Sequence, residues 1–300
     1  MSEQVTVPGV ELEWDTLMQL RHLPGANKPR RQFVSALSEG FPILRRGNGT
    51  DTYDIRPWSY GDDVRHIDRN ATARTGTPHV ITRHEEQNSR IVYFLDLRSN
   101  MTFGTRRALK SVAAAETLTI MAWRAIQNHR HVGIAISATT DTRFLGWANN
   151  ITSFSKILTE VINIHHESRS VCVDNDQSLD RSLEFIEPYI ERSALTIITG
   201  LDNIGDCFVN IIHRLSNNNY VTLLIISDRF EREPMPGTYP FQTRDGLCGN
   251  IHLKRNQVFP NTSDILDIYR KLGVRTACIY SEWETAELAS NLERVDDRSY

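Results

Sequence analysis

The side chains best placed to do chemistry in this sequence are carboxylates and arginines that follow apolar runs. Ile91-Val-Tyr-Phe-Leu reads as a buried strand, and it ends at Asp96, with Arg98, Ser99 and Asn100 just beyond. Ala194-Leu-Thr-Ile-Ile-Thr reads as a second such strand, ending at Thr199 and Gly200, with Asp202 two residues on. Gln177 and Ser178 open a helical stretch between them. Upstream, Asp62 and Asp63 form an adjacent acidic pair, followed by Arg65, Asp68 and Arg74. Clustered carboxylates can hold a divalent ion and activate water for hydrolysis. A carboxylate beside an arginine can equally form a fixed ion pair.

Other chemistries are excluded by inspection. No GxxxxGK[ST] is present, so there is no P-loop phosphate cradle. There is no HExxH, no GxSxG elbow, and no GxGxxG after a strand. His165 and His166 are adjacent, so on a helix they point about 100° apart and share a metal poorly. They are expected at a solvated helix end. Cys172, Cys207, Cys248 and Cys278 form no CxxC pair, which suits inert thiols in a reducing compartment. The net charge of -3 over 300 residues argues against a general nucleic-acid binder. The first residues have no apolar core of a secretion signal, and no run approaches a membrane span. A cytoplasmic protein without direct membrane insertion is expected.

The elements that must position these residues follow from periodicity. Residues 1–88 are polar and turn-rich, with a short helix over Leu12, Leu17, Leu20 and Leu23 and small strands around Tyr53, Ile55 and Trp58. Residues 89–300 alternate apolar runs with helical periods. Helices are expected over Arg106–Gln127, Ile151–Ile164, Leu179–Tyr189, Cys207–Leu215, Ser263–Leu272 and Trp283–Leu292. A hairpin through Thr139–Thr142 should join the strand at Val132 to one at Arg143. This order implies an α/β fold with a mainly parallel sheet covered on both faces, plus an N-terminal β/loop segment packed on it. Ligands of such sheets sit at the carboxyl ends of the strands, where Asp96, Ser178, Thr199 and Asp202 fall.

Residues 47–86 contain Gly61-Asp-Asp-Val-Arg-His-Ile-Asp, then Ala73-Arg74 and Glu86 ahead of the first sheet strand. This resembles the signature of the domain of unknown function 58 family, with Gly61, Asp62, Asp63, Arg65, Ile67, Asp68 and Arg74 in matching positions. Where the family commonly has tryptophan after Ile-Asp, this chain has Arg69. Residues 94–118 and the Asp228-x-x-Glu231 segment are similar to later parts of the same family. The resemblance implies a von Willebrand factor A-like, Rossmann-like main domain over 89–300. It also implies partnership with a MoxR-type AAA+ ATPase in chaperone-like work, in contact with that ATPase or its client.

Domains of that type often hold Mg²⁺ with Asp-x-Ser-x-Ser, a threonine from a second loop and a later aspartate. Here Arg98 and Asn100 stand where the serines would be, the threonine position falls near Gln177 or Ser178, and the later position reads Thr199-Gly200 with Asp202 beyond. A guanidinium cannot ligate a cation and repels one. A degenerate site without metal is therefore expected. Arg98 either receives a partner's carboxylate in place of the metal or neutralises Asp96, and the second is favoured. The expected protein is a non-enzymatic adaptor. The alternative is a metal-dependent hydrolase or nuclease using Asp62, Asp63, Asp96 and Asp202. The acids and arginines of residues 54–74 are expected to form an internal network, with Ile67 buried and Arg65 and Asp68 paired.

Overall fold

Unbroken apolar runs of five to eight residues belong in strands covered on both faces, and the strands of this chain alternate their side chains between two cores. The computed structural model describes residues 7–23, 54–57, 67, 72–73, 75–82, 90–170, 176–190, 193–242, 248–254 and 262–297. The chain divides into two units, one of residues 1–30 with 90–300 and one of residues 31–89.

In the first unit, β3 (Arg90–Asp96), β4 (His131–Ser137), β5 (Thr142–Ala148), β6 (Ala194–Thr199), β7 (Tyr220–Ser227) and β10 (Arg275–Tyr280) form one sheet. Its order is β10-β7-β6-β3-β4-β5. All pairings are parallel except β4 with β5, the hairpin expected from the sequence. β3 is central, and the chain turns to β4 on one side of it and to β6 on the other. That reversal makes a crevice at the carboxyl ends of β3 and β6. The architecture is an α/β, mainly parallel sheet flanked by helices, compatible with a Rossmann-like fold.

Tyr93, Leu95, Ile134, Ile136, Ile198 and Leu224 point into one core. It is covered by α1 (Trp14–Gln19), α2 (Lys110–Gln127), α3 (Ile151–Ser170) and α8 (Thr285–Asp297). Val92, Phe94, Ala135, Leu195, Ile197 and Leu223 point into the other, under α4 (Leu179–Ile186), α5 (Phe208–Asn218) and α7 (Thr262–Lys271). A short α6 (Arg229–Arg232) follows β7.

Helix α2 is buried all round, from Lys110 to Ile126. Its alanines let it lie against the sheet on one side and other helices on the other, and they favour helix intrinsically. The indole N–H of Trp123 donates to the carbonyl of Leu17 at 3.3 Å, so the N-terminal helix, grouped with residues 1–88 by sequence texture, packs within the sheet unit. α2 begins at Lys110 rather than near Arg106. Residues 99–102 form a 3-10 turn, and Gly104 permits a chain approach in which a Cβ would sit 2.4 Å from the Ala108 carbonyl.

A two-stranded ribbon, β8 (Gly237–Gln242) with β9 (Cys248–Leu253), was not anticipated from the sequence. Cys207 and Cys248 are exposed free thiols and Cys278 is half-buried. In the second unit β1 (Asp54–Pro57) pairs antiparallel with β2 (His79–Thr82), and Ile67 is half-buried in an isolated bridge. Gly61, Asp62, Asp63, Arg65, Asp68 and Arg74 lie outside the described residues, as does the network expected of them. No helix among the described residues is long and apolar enough to cross a membrane.

Candidate functional site at the carboxyl ends of the central strands

The crevice expected to hold a ligand is filled by an arginine. Asp96 is the last residue of β3 and is fully buried, and so is Arg98 two residues later. The guanidinium grips the carboxylate through two parallel bonds, Nε to Oδ1 at 2.9 Å and Nη2 to Oδ2 at 2.7 Å. Its remaining N–H groups reach three backbone carbonyls: Nη2 donates to Asp202 at 2.9 Å, and Nη1 to Gln177 and to Asn203, each at 3.0 Å. A guanidinium has five N–H donors, and all are used.

The carboxylate is equally saturated. Oδ1 also accepts from the Arg98 amide at 3.1 Å, and Oδ2 from the Thr199 hydroxyl at 2.7 Å. Two bonds on each oxygen occupy its lone-pair directions. Burial is the strongest single influence and works against the charge on Arg98, but the Asp96 carboxylate, helped by Asp176 and Asp202, more than offsets it and raises the pKa above its ordinary value. Arg98 thus ties three loops together: its own, the one before α4, and the one after β6. The last takes positive φ at Leu201, Asn203 and Gly205, which aims its carbonyls inward.

The sequence-predicted residues separate at this point. Asp96, Arg98 and Thr199 meet directly. Asp202 joins through its backbone carbonyl, while its carboxylate accepts from Asn100 Nδ2 at 2.9 Å and Lys110 Nζ at 3.2 Å. Ser178 does not reach Asp96. It precedes α4, and its hydroxyl donates to Asp180.

Lys110, Asp228 and Glu231, at the same end of the sheet, were missed as site residues. Lys110, the first residue of α2, is buried and bridges Asp202 to Glu231 Oε1, the latter at 2.6 Å. Burial alone would lower its pKa, but Asp202 and Glu231 raise it. Asp228 ends β7, fully buried. It accepts from Thr105 Oγ1 at 2.5 Å, from Ser281 Oγ at 2.8 Å and from the Phe230 amide at 2.9 Å. Burial pushes its carboxyl up, and these bonds more than reverse that, holding it below the usual range. The Asp228-x-x-Glu231 spacing is a capping-box signature, legible as such. Its tie to Thr105 across 123 residues is not.

No group of three or more metal-capable His, Cys, Asp or Glu occurs among the described residues. The Asp96 donor set does not fit Mg²⁺: its oxygens are filled, and a fixed cation lies against them.

Residues 54–250 match the family model described as protein of unknown function DUF58. The chain belongs to this family. No curated protein matches it. Among solved structures, this DUF58 chain is similar to an aerotolerance-related membrane protein from Bacteroides fragilis at 11% identity. That alignment covers 70% of this chain and 98% of that one, with a TM-score of 0.42. It is also similar to an uncharacterised membrane-spanning protein from Vibrio fischeri at 13% identity, with the same coverages and a TM-score of 0.20.

Proposed function

We propose that the protein is a non-enzymatic, cytoplasmic interaction protein that works with a MoxR-type AAA+ ATPase or its client. In this reading its main unit is a von Willebrand factor A-like domain whose metal-ion-dependent adhesion site is degenerate. One observation supports this best. The place where such a sheet would take a ligand or do chemistry is occupied by Arg98, with every donor used on Asp96 and three carbonyls. This favours neutralisation of Asp96 over reception of a partner's carboxylate, because no guanidinium N–H is left for one. A rigid sheet edge with its crevice closed suits a scaffold that presents loops to another protein.

The hydrolase reading needs free carboxylates around a cation. Asp96 has no free carboxylate oxygen and Asp202 is held by Lys110 and Asn100, while Asp62 and Asp63 lie outside the described residues. The test is reconstitution with the MoxR-type ATPase of the same organism. Co-migration in size-exclusion chromatography in at least one nucleotide state, together with no ATP turnover by the protein alone, is expected. Failure to associate in every nucleotide state, or steady turnover by the protein alone, overturns the reading.

A further inference from the structure

Beside the closed crevice lies an open groove of about 1040 Å³, between the end of β4 and the loops before α4 and α5. Asp176, Asp180, Glu184 and Asp206 line it, with Arg181 the one base among its lining residues. Asp180 is already engaged, accepting from Ser178, from the Arg181 amide at 2.7 Å and from the Cys207 amide at 3.1 Å. Glu184 and Asp206 are exposed and, among the described residues, make neither a hydrogen bond nor an ion pair, although Glu184 lies near enough to Arg214 to help raise its pKa. The groove also holds a buried group with no hydrogen-bond partner among the described residues: Thr139 is 2% exposed and its hydroxyl is unsatisfied. A hydroxyl left so is costly, and a ligand that reaches it recovers that cost.

The surface continues along α4. Arg181 lines the groove, and Phe185 sits one turn further on the same helix face, 48% exposed. Phe185 meets Tyr189 with ring centroids 6.4 Å apart, Tyr189 stacks on Phe144 at 4.3 Å, and Phe144 meets Trp147 at 5.7 Å. The Arg90 guanidinium lies 5.5 Å from the Trp147 ring centroid. Four aromatic rings in contact, Phe185, Tyr189 and Trp147 partly exposed and Phe144 half-buried, form an apolar ladder beside an acidic groove. Rigid aromatic rings with an arginine are the composition of interface hot spots.

We propose that this continuous surface docks an extended segment of a partner protein in which a lysine or arginine is flanked by aromatic or aliphatic residues. The cation would lie between Glu184 and Asp206, a polar group of the segment would satisfy Thr139, and the apolar side chains would cover the Phe185–Tyr189 ladder. The net negative lining disfavours nucleic acid and anionic lipid. A second copy docked about a two-fold axis would set acid against acid. The proposal extends the adaptor reading, but it is tested without the ATPase, so either can fail alone.

The full chain is titrated with a short synthetic peptide alternating lysine with leucine and phenylalanine, and with its glutamate counterpart, by fluorescence anisotropy. The lysine peptide should bind and weaken as salt rises. Glu184→Lys combined with Asp206→Lys, and separately Phe185→Ser, should each weaken it at least about fivefold. Both substitutions change exposed side chains, so the fold should persist, checked by circular dichroism. Thr139→Val should weaken binding to a smaller extent without altering the shape of the site. Equal binding of the glutamate peptide, or affinity unmoved by these substitutions, overturns the proposal. So does a concentration-dependent dimer in sedimentation that Phe185→Ser abolishes, because the occupant would then be a second copy.

Discussion

Arg98 and Asp96 are two residues apart in the chain and are joined by two parallel hydrogen bonds, 2.9 and 2.7 Å long, with neither side chain exposed. A buried pair of this kind gives little net stability over an apolar replacement, because desolvation offsets the attraction. Breaking it is another matter. Arg98→Ala leaves an uncompensated carboxylate and three carbonyls without donors, and should cost about 3–5 kcal/mol. Arg98→Lys keeps the charge but cannot reproduce the fork, so it should recover only part of that. Urea unfolding of both variants checks this. If Arg98→Ala unfolds within about 1 kcal/mol of the parent, the clamp does not hold the three loops.

What the sequence made legible at this edge, and what it concealed, follows from the range of the interactions. Asp96, Thr199 and Asp202 could be placed because each sits at or just after the end of an apolar run, and a parallel sheet puts such ends side by side. Arg98 was legible as a charge beside Asp96, but its contacts to Gln177 and Asn203 depend on loops 79 and 105 residues away. Lys110 was hidden for the same reason. Its partners are 92 and 121 residues distant, and nothing local distinguishes it from a solvated lysine at a helix start. The β8–β9 ribbon escaped because it is short, carries Pro240 and buries little, so it lacks the apolar alternation that reveals a strand.

His165 was misplaced through a helix boundary. Ending α3 at Ile164 put both histidines at a wet terminus, but the helix runs to Ser170. Phe154, Leu158, Val161 and His165 then share its inward face at helical spacing, and His165 is buried. Its Nε2 lies 3.0 Å from Ser111 Oγ, and its Nδ1 has no partner among the described residues.

That burial sets a pH dependence. Desolvation, with the neighbouring Arg169 and His166 charges, lowers the His165 pKa from 6.5 to about 3. Above pH 6.5 the ring is neutral in both folded and unfolded chains and contributes no pH slope. As the pH falls below 6.5 the unfolded chain takes up a proton that the folded protein refuses until about pH 3. Stability should therefore fall through that window by up to about 1.4 kcal/mol per pH unit. His165→Gln cannot titrate, and its stability measured from pH 7 to pH 4.5 should decline more gently. Parallel curves for the two proteins would rule His165 out as a source of acid sensitivity.

Gly205 gives a steric prediction. Its φ is +80°, and a Cβ there would lie 2.1 Å from Asp180 Oδ2. Asp180 cannot give way without losing the bonds that hold it below the usual carboxylate range against its own burial. Gly205→Ala should cost more than about 2 kcal/mol, combining backbone strain with the displaced carboxylate. Asp180→Ala placed with it should recover part of the loss, because the clash is relieved. Additive melting-temperature losses in the double variant would show that the two residues are not in conflict.

Mg²⁺ should not bind beside Asp96. At the Asp96 position the guanidinium stands against the carboxylate, and both oxygens are filled by Arg98 and Thr199. A hard cation needs several oxygen ligands, and here it would also meet a fixed positive charge. Calorimetric titration of the unmodified protein should give no binding at millimolar Mg²⁺ that depends on Asp96. Replacing Arg98 and Asn100 by serine removes the obstructing charge and restores two hydroxyls. It does not by itself deliver Asp202, whose carboxylate is still held by Lys110 at 3.2 Å. Arg98→Ser with Asn100→Ser should thus bind weakly or not at all, and adding Lys110→Met, which frees Asp202, should strengthen binding. Millimolar or tighter affinity in the unmodified protein, lost on Asp96→Ala, would show that Arg98 does not close the site.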